Sequence, residues 1–302
     1  MNSQRSIKNR LRRDVPLAAR SYLRIGGYAR WWLEPADGRA LAAFLRRRDA
    51  VRALFVLGAG SNVLFDDGRI DKVFVSLSRP AFTGIRVRGR CVTAGAGVRL
   101  GRLISALTRH DLGGHEFLAG IPGTLGGALA MNAGARTMPG DPATYREIGD
   151  IVVSVDVMDA GGRRRTLAAR EMEFGYRATS LKGAIVTGAT LRLHAARRQE
   201  VTRRIGQIIG WRFAHQDWLY PSAGSFFKNP PGDRAGRLID LCGLKGHAVG
   251  GAQVSPRHAN FIINTGGARC ADVIKLMEII QEKVYNHFRV HLEPEVVIVR
   301  AQ

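Results

Sequence analysis

Acidic residues are scarce in this chain of 302 residues, 25 against 46 lysines and arginines, which leaves a formal net charge of +21. Such a balance attracts polyanions, nucleic acid among them. Yet no nucleic-acid motif accompanies it, and the arginines are spread in short runs such as Arg12–Arg13, Arg46–Arg48 and Arg163–Arg165. A solvated basic surface that concentrates anionic small molecules is therefore the better reading, and no nucleic-acid partner is expected. Cysteine is scarce too: Cys91, Cys242 and Cys270 are far apart, odd in number and form no Cys-x-x-Cys pair. That excludes a disulfide framework and a thiolate metal cage, and leaves reduced structural thiols. The eight histidines are scattered without a cysteine or carboxylate cluster at ligand spacing, so no metal is expected. No apolar run approaches the roughly 20 residues needed to cross a bilayer. The opening MNSQRSIKNRLRRD is charged and no hydrophobic segment follows it, so neither membrane insertion nor a secretory signal is expected and a cytoplasmic enzyme is.

What the chain has in abundance is glycine, and its densest stretch organises the rest. From Gly114 to Ala135 the sequence reads GHEFLAGIPGTLGGALAMNAGA, with five glycines between Gly120 and Gly134 and Pro122 among them. An ordinary helix or strand does not tolerate this, so a loop is expected. Glycine can take positive φ and lacks Cβ, so successive backbone N–H groups can turn toward one anion, a phosphate-bearing ligand being the natural occupant. Thr124 and Asn132 would add side-chain hydrogen bonds, while Leu118, Ile121, Leu125, Leu129 and Met131 would tuck the loop against a core. A flexible linker is the bland alternative, but linkers favour Ser and polar residues over Leu, Ile and Met.

Residues 1 to about 20 read as a basic, loosely held arm. Ser21–Gly27, followed by Trp31, Trp32 and Leu33, reads as a strand with a glycine turn, in which Arg24 could meet a carboxylate or phosphate, and Ala40–Arg48 as a short helix. The strand 53–57 runs into Gly58, Ala59, Gly60, Ser61 and Asn62. A strand before Gly-x-Gly invites the dinucleotide fingerprint, but Val63 occupies the third glycine's place and no crossover helix follows. A tight anion-binding turn survives, with Ser61 and Asn62 as donors to phosphate oxygens. Strands are expected at 73–77, 91–94, 151–156 and 184–193, and Gly95-Ala-Gly97 repeats the small-residue theme. Leu100, Leu103, Ile104 and Leu107 form one face of a helix. Composition shifts near Ala195, where Val201, Ile205, Ile208 and Ile209 mark a helix that opens a further domain. Beyond it come Tyr220-Pro-Ser-Ala-Gly-Ser225-Phe-Phe-Lys228-Asn229-Pro230, a strand at 261–264, and a long helix with Val273, Leu276, Met277, Ile280, Val284 and Phe288 on one face. The last strand is entered through Glu293 and Glu295. The pattern is α+β.

Six motifs in order, RIGG at Arg24, LGAGSNVL at Leu57, EFLAGIPGTLGGALAMNAGA, FGYR at Phe174, PSAGSFFKNP at Pro221 and LEPEV at Leu292, resemble the UDP-N-acetylenolpyruvoylglucosamine reductases, the MurB-type flavoenzymes of peptidoglycan precursor synthesis. The resemblance runs from about residue 20 to 299. It implies a two-part FAD-binding domain of the vanillyl-alcohol-oxidase type over 21–197, with parts at about 21–80 and 81–197, and an α+β substrate-binding domain over 198–302. By position, Gly58, Ala59, Gly60, Ser61 and Asn62 would hold the FAD pyrophosphate. So would the loop with Gly120, Ile121, Pro122, Gly123, Thr124, Gly127, Ala128, Asn132 and Gly134. The run from Arg177 through 193, with no long insert, is similar to the short subclass. One departure stands out: where the family continues from Asn-Ala-Gly-Ala with an aromatic and a glycine, Ala135 is followed by the longer, charged RTMPGDPATYREIGD.

The resemblance further implies that NADPH reduces the flavin and is replaced by UDP-N-acetylglucosamine enolpyruvate, whose C3 accepts hydride. The charge that develops at C2 and on the carboxylate needs support and a proton. Ser225 matches the family's proton donor and would be coupled to neighbours such as Lys228. Arg177 would bind the developing enolate and Glu295 would share that load, although Glu293 stands close enough to be confused with it. Tyr220, Lys228, Asn229 and Arg212 would contact diphosphate, sugar or NADPH. Two other readings remain. One is an FAD-linked oxidase on the same flavin fold, with His115 the nearest candidate to tether the cofactor. The other is a basic nucleic-acid-binding protein, which lacks a supporting motif.

Overall fold

The computed structural model describes residues 10–47, 54–137, 144–181 and 183–301. Residues 1–9 of the basic arm, Arg48, Ala53 and positions 138–143 of the charged segment after Ala135 lie outside the described residues. The chain divides into two compact units: Met1–Arg13, Trp31–Gly58 and Lys72–Trp211 form one, and Asp14–Arg30, Ala59–Asp71 and Arg212–Gln302 the other.

The first unit is built on a five-stranded antiparallel sheet, in the order Arg164–Ala168, Val152–Met158, Ile185–Arg192, Cys91–Gly95 and Ile85–Arg88. Its strands alternate buried and exposed positions as a sheet with one covered face requires: Val155 and Val157, Ala189 and Leu191, and Val92 and Ala94 are buried. Helix Leu100–Arg109 buries Leu100, Leu103, Ile104 and Leu107, the face its periodicity predicts, in the same core. Helix Gly38–Leu45 starts at Asp37, whose carboxylate accepts from Ala40 N at 2.8 Å, and buries Leu41, Ala42 and Leu45. Leu54–Val56 pairs in parallel with Val73, Phe74 and Val75.

The second unit has an antiparallel sheet ordered Ser222–Ser225, Phe261–Asn264, Ala252–Val254 and Ala248–Val249. Helix Cys270–Phe288 buries Val273, Leu276, Met277, Ile280 and Val284, again the predicted face. Asp67 anchors its N-terminus, accepting from Cys270 N at 2.8 Å and Ala271 N at 3.4 Å. Burial pushes the Cys270 thiol up to about 12, with Asp67 adding to the shift, so this cysteine is an inert packing group. Val63–Phe65 and Val297–Val299 pair in parallel.

Two local expectations are corrected. Arg10–Pro16 is a strand, with Val15 and Leu17 buried, so the loose arm does not continue through residue 20. Ser21–Gly27 is a series of turns, and the strand of that stretch begins after the glycines, at Tyr28–Glu34 with Trp31, Trp32 and Leu33. Arg24 has φ +56° and Gly26 φ +137°, and a Cβ on Gly27 would lie 2.0 Å from the Gly68 carbonyl oxygen. That close approach, not strand pairing, is what the two glycines serve.

Candidate active site

In the first unit, strand Cys91–Gly95 ends in Gly95-Ala96-Gly97, a segment pressed against neighbouring backbone. A Cβ on Gly95 would stand 2.1 Å from the Phe82 carbonyl oxygen, and one on Gly97 1.8 Å from that of Leu77. This segment holds the glycine-rich loop: Gly126 N donates to Ala96 O and Leu125 N to Val98 O, each at 2.8 Å, and Leu100 N donates to Gly123 O at 3.0 Å. The loop is not wholly irregular. Leu125–Ala130 forms a short helix despite Gly126 and Gly127, because Thr124 Oγ1 accepts from Gly127 N at 3.3 Å and Leu125, Ala128 and Leu129 are buried beneath it. Gly126 is needed there, since a Cβ would meet that of Ala96 at 2.9 Å. Gly58, Pro122 and Gly127 are exposed, and Gly120, Ile121 and Gly123 half-buried. A Cβ on Gly58 would lie 2.6 Å from Thr124 Oγ1, so the strand end and the loop approach without an intervening side chain. The result is open peptide backbone over a packed apolar floor, an arrangement suited to an anionic ligand.

Asn132 and Gly134 turn the other way. Asn132 is fully buried at φ +42°; its amide donates to Glu147 Oε2 at 2.7 Å and to Gly175 O at 3.0 Å, and its carbonyl accepts from Gly149 N at 3.1 Å. Both amide protons are committed to the protein, which corrects its assignment as a ligand to phosphate. Gly134 is buried too, with Arg146 O and Glu147 Cγ each 2.7 Å from where its Cβ would be. Both residues support Arg177. The hairpin Phe174–Gly175 and Ala178–Thr179 turns at Tyr176-Arg177, with Arg177 at φ +56°, a conformation uncommon for a side-chain-bearing residue. Its guanidinium donates to Tyr145 Oη at 2.9 Å and Gly134 O at 3.4 Å, and Tyr145 Oη donates to Glu147 Oε1 at 3.3 Å. Burial raises the Tyr145 hydroxyl to about 12 against the lowering effect of Arg177, so the phenol stays protonated. Either side of the undescribed positions 138–143, Gly134–Arg136 pairs antiparallel with Tyr145–Glu147, and the latter strand steadies Arg177.

In the second unit, Ser225 ends strand Ser222–Ser225 after Gly224 at φ +80°, opposite Phe261. Buried Asn260 pins the following turn, its Oδ1 accepting from Phe227 N at 3.0 Å and its Nδ2 donating to Phe227 O at 2.8 Å. Residues 226–228 then run beside 293–295: Glu295 N donates to Phe226 O and Lys228 N to Glu293 O, each at 2.8 Å, with Phe227 bridging Pro294. Ser225 and Glu295 are therefore held one residue apart across a backbone pair, both half-buried. Glu293 is exposed and pairs with Lys228 Nζ at 2.5 Å, which makes Glu293 a neighbour of Lys228 that the sequence did not suggest.

Asn62 Nδ2 donates to Glu295 O at 3.1 Å, tying the Gly58–Asn62 motif to the carboxyl candidate. Gly60 takes φ +73° where a Cβ would overlap Arg20 O at 1.9 Å, and Ala59 and Ser61 beside it are half-buried. Asn229 is exposed and its Oδ1 accepts from Ala235 N at 3.1 Å at the start of helix Ala235–Leu241. Tyr220 is exposed, and Arg212 lies near the end of helix Arg198–His215, its carbonyl accepting from Trp218 Nε1 at 3.1 Å. His115 has no exposed surface, and burial pushes its imidazole down to about 4 despite Glu116. A sealed, neutral ring there does not serve as a cofactor tether. The sequence reading missed Gly95–Gly97, Tyr145, Glu147 and Asn260 as supports; only the first carried a signal, a second cluster of small residues.

Residues 215–299 match the model of the UDP-N-acetylenolpyruvoylglucosamine reductase C-terminal domain, and residues 32–168 that of an FAD binding domain. The UDP-N-acetylenolpyruvoylglucosamine reductase of Methylococcus capsulatus is 44% identical over 286 residues, 94% of this chain and 91% of its own. That of Alkalilimnicola ehrlichii is 42% identical over 301 residues, 99% of this chain and 98% of its own. Among solved structures, UDP-N-acetylenolpyruvylglucosamine reductase (MurB) from Thermus caldophilus superposes with a TM-score of 0.82 at 35% identity, covering 96% of this chain and 99% of that one. With its motifs and near-complete coverage in agreement, the chain belongs to the UDP-N-acetylenolpyruvoylglucosamine reductase family.

Proposed function

We propose that this chain is a cytoplasmic FAD-dependent reductase that uses NADPH to convert UDP-N-acetylglucosamine enolpyruvate to UDP-N-acetylmuramate. The observation that supports the chemistry is the backbone bond from Glu295 N to Phe226 O, which brings the segments that carry Ser225 and Glu295 alongside each other. FAD fits the first unit. Gly58 and Gly127 are exposed, and Thr124 Oγ1 lies 2.6 Å and 3.5 Å from where their Cβ atoms would stand, so open backbone and a hydroxyl are available together to a pyrophosphate. We assign the cofactor domain to residues 21–197 and the substrate domain to 198–302. FAD held in the first unit would supply hydride transfer from NADPH to the enolpyruvyl group.

The protein's part is placement and charge. Ser225 donates a proton to C2 of the substrate, and a serine hydroxyl is a weak enough acid that its position must be tightly held. Gly224, Phe226 and Asn260 supply that constraint. Arg177, braced by Tyr145 and Gly134, offers a guanidinium to the charge developing on the substrate carboxylate, and Glu295 shares in stabilising it. Lys228, Asn229, Tyr220 and Arg212 contact the diphosphate, the sugar or NADPH. Purified protein should be yellow, bleach under anaerobic NADPH, and regain colour on addition of the enolpyruvyl substrate. Ser225→Ala should keep its colour and its bleaching but recolour with substrate at least about a hundredfold more slowly; an unchanged rate removes Ser225 from the mechanism.

A further inference from the structure

Two of the arginine runs noted in the sequence lie more than a hundred positions apart, and the first unit brings them together. A cavity of about 640 Å³ is lined by Arg39 and Arg46 of the helix Gly38–Leu45 region and by Arg163 and Arg164 of the turn into strand Arg164–Ala168. None of the residues proposed for FAD, NADPH or substrate lines it. The approach is built in. Gly162 takes φ +75° and a Cβ there would be 2.6 Å from Ala42 O, while one on Gly38 would be 2.2 Å from an Arg164 guanidinium nitrogen.

Gathering like charges is unfavourable unless something neutralises them. Among the described residues no carboxylate pairs with any of these four guanidiniums. Of the described acids close in sequence, Asp37 accepts from Ala40 N, and Asp159 Oδ1 accepts from Gly161 N and Arg163 N, each of the latter two at 2.9 Å; Asp49, three positions past Arg46, lies outside the described residues. Arg39 also stands in the first turn of its helix, where the macrodipole disfavours a cation and favours an anion. Guanidinium forks from two walls suit phosphate oxygens, and the volume is that of a small-ligand site.

We infer that Arg39, Arg46, Arg163 and Arg164 form a binding site for a small oligophosphate, an inorganic chain or a nucleoside triphosphate, separate from the reductase's own substrates. Calorimetric titration of the FAD-loaded protein with inorganic tripolyphosphate tests it, at the ionic strength of about 0.15 M that screens loose surface attraction. Arg163→Glu together with Arg164→Glu should weaken binding at least about tenfold. The control pair Arg86→Glu and Arg88→Glu, on exposed positions of strand Ile85–Arg88, makes the same charge change and should alter it less than about twofold. Adenosine triphosphate in parallel distinguishes the source: tighter binding than tripolyphosphate identifies a nucleotide, and equal or weaker binding an inorganic chain. Equal loss in both variants, or no loss in the first, overturns the site. A raised KM for NADPH or the enolpyruvyl substrate in the Arg163/Arg164 variant overturns its separateness. Flavin absorbance and melting temperature of each variant report whether it has folded.

Discussion

Where the first unit brings backbone against backbone by leaving out side chains at Gly95, Gly97 and Gly126, the second holds Ser225 through a side chain, Asn260, that binds Phe227 on both its N–H and its carbonyl. A cofactor's phosphates need peptide groups they can reach, so the cradle is defined by missing atoms. The proton donor proposed at Ser225 needs one hydroxyl held at one place, so its support is defined by committed hydrogen bonds. The two regions should therefore fail differently: an added methyl group harms the first, and a deleted polar group the second.

The largest effect expected is on the rate. Glu295→Gln should lower turnover by about a hundredfold or more while leaving FAD bound, whereas Glu293→Gln, which breaks an exposed pair with Lys228, should stay within about twofold in steady-state assays. Equal losses would dissolve the distinction between the two carboxyls. Next comes the cradle: Gly97→Ala drives a Cβ into the Leu77 carbonyl oxygen and should cost about 3 kcal/mol, read as a fall in denaturant midpoint together with loss of flavin absorbance. Unimpaired flavin content would show that the close approach is dispensable.

His115 sharpens the same contrast through pH. Its folded-state value of about 4 lies below the unfolded one of 6.5, so the unfolded chain binds the extra proton first as pH falls. Its contribution to stability is complete above 6.5 and is lost between 6.5 and 4, up to about 3 kcal/mol. Urea unfolding at several pH values should show that slope, and His115→Phe should flatten it. Smallest is Asn132→Ala, which removes three partly buried hydrogen bonds and should cost about 2 kcal/mol. It should also lower turnover with FAD content unchanged, because the bonds it removes reach Glu147 and the Arg177 hairpin.

The elements that could be read in advance share a physical property, a period that survives without knowledge of neighbours. Leu100, Leu103, Ile104 and Leu107 bury one face of their helix, and Val273 through Val284 do the same over a longer one. The helix Leu125–Ala130 could not be read this way, because glycine counts against helix formation and its compensation, packing on Ala96, comes from a segment about 30 residues earlier, just past strand Cys91–Gly95. Strand Arg10–Pro16 was hidden by its arginines, which give no alternation.

The sequence by itself determined the family, the glycine-rich segments and the identities of Ser225, Arg177 and Glu295 as candidates, because motif order and residue chemistry are local properties. Only the tertiary structure decided that Asn132 ties down a hairpin instead of facing a ligand, that Lys228 pairs with Glu293, and that two distant arginine runs share one cavity. A side chain's partner depends on which backbones lie within about 3 Å of it, and in this chain those backbones come from positions 15 to more than 100 residues away.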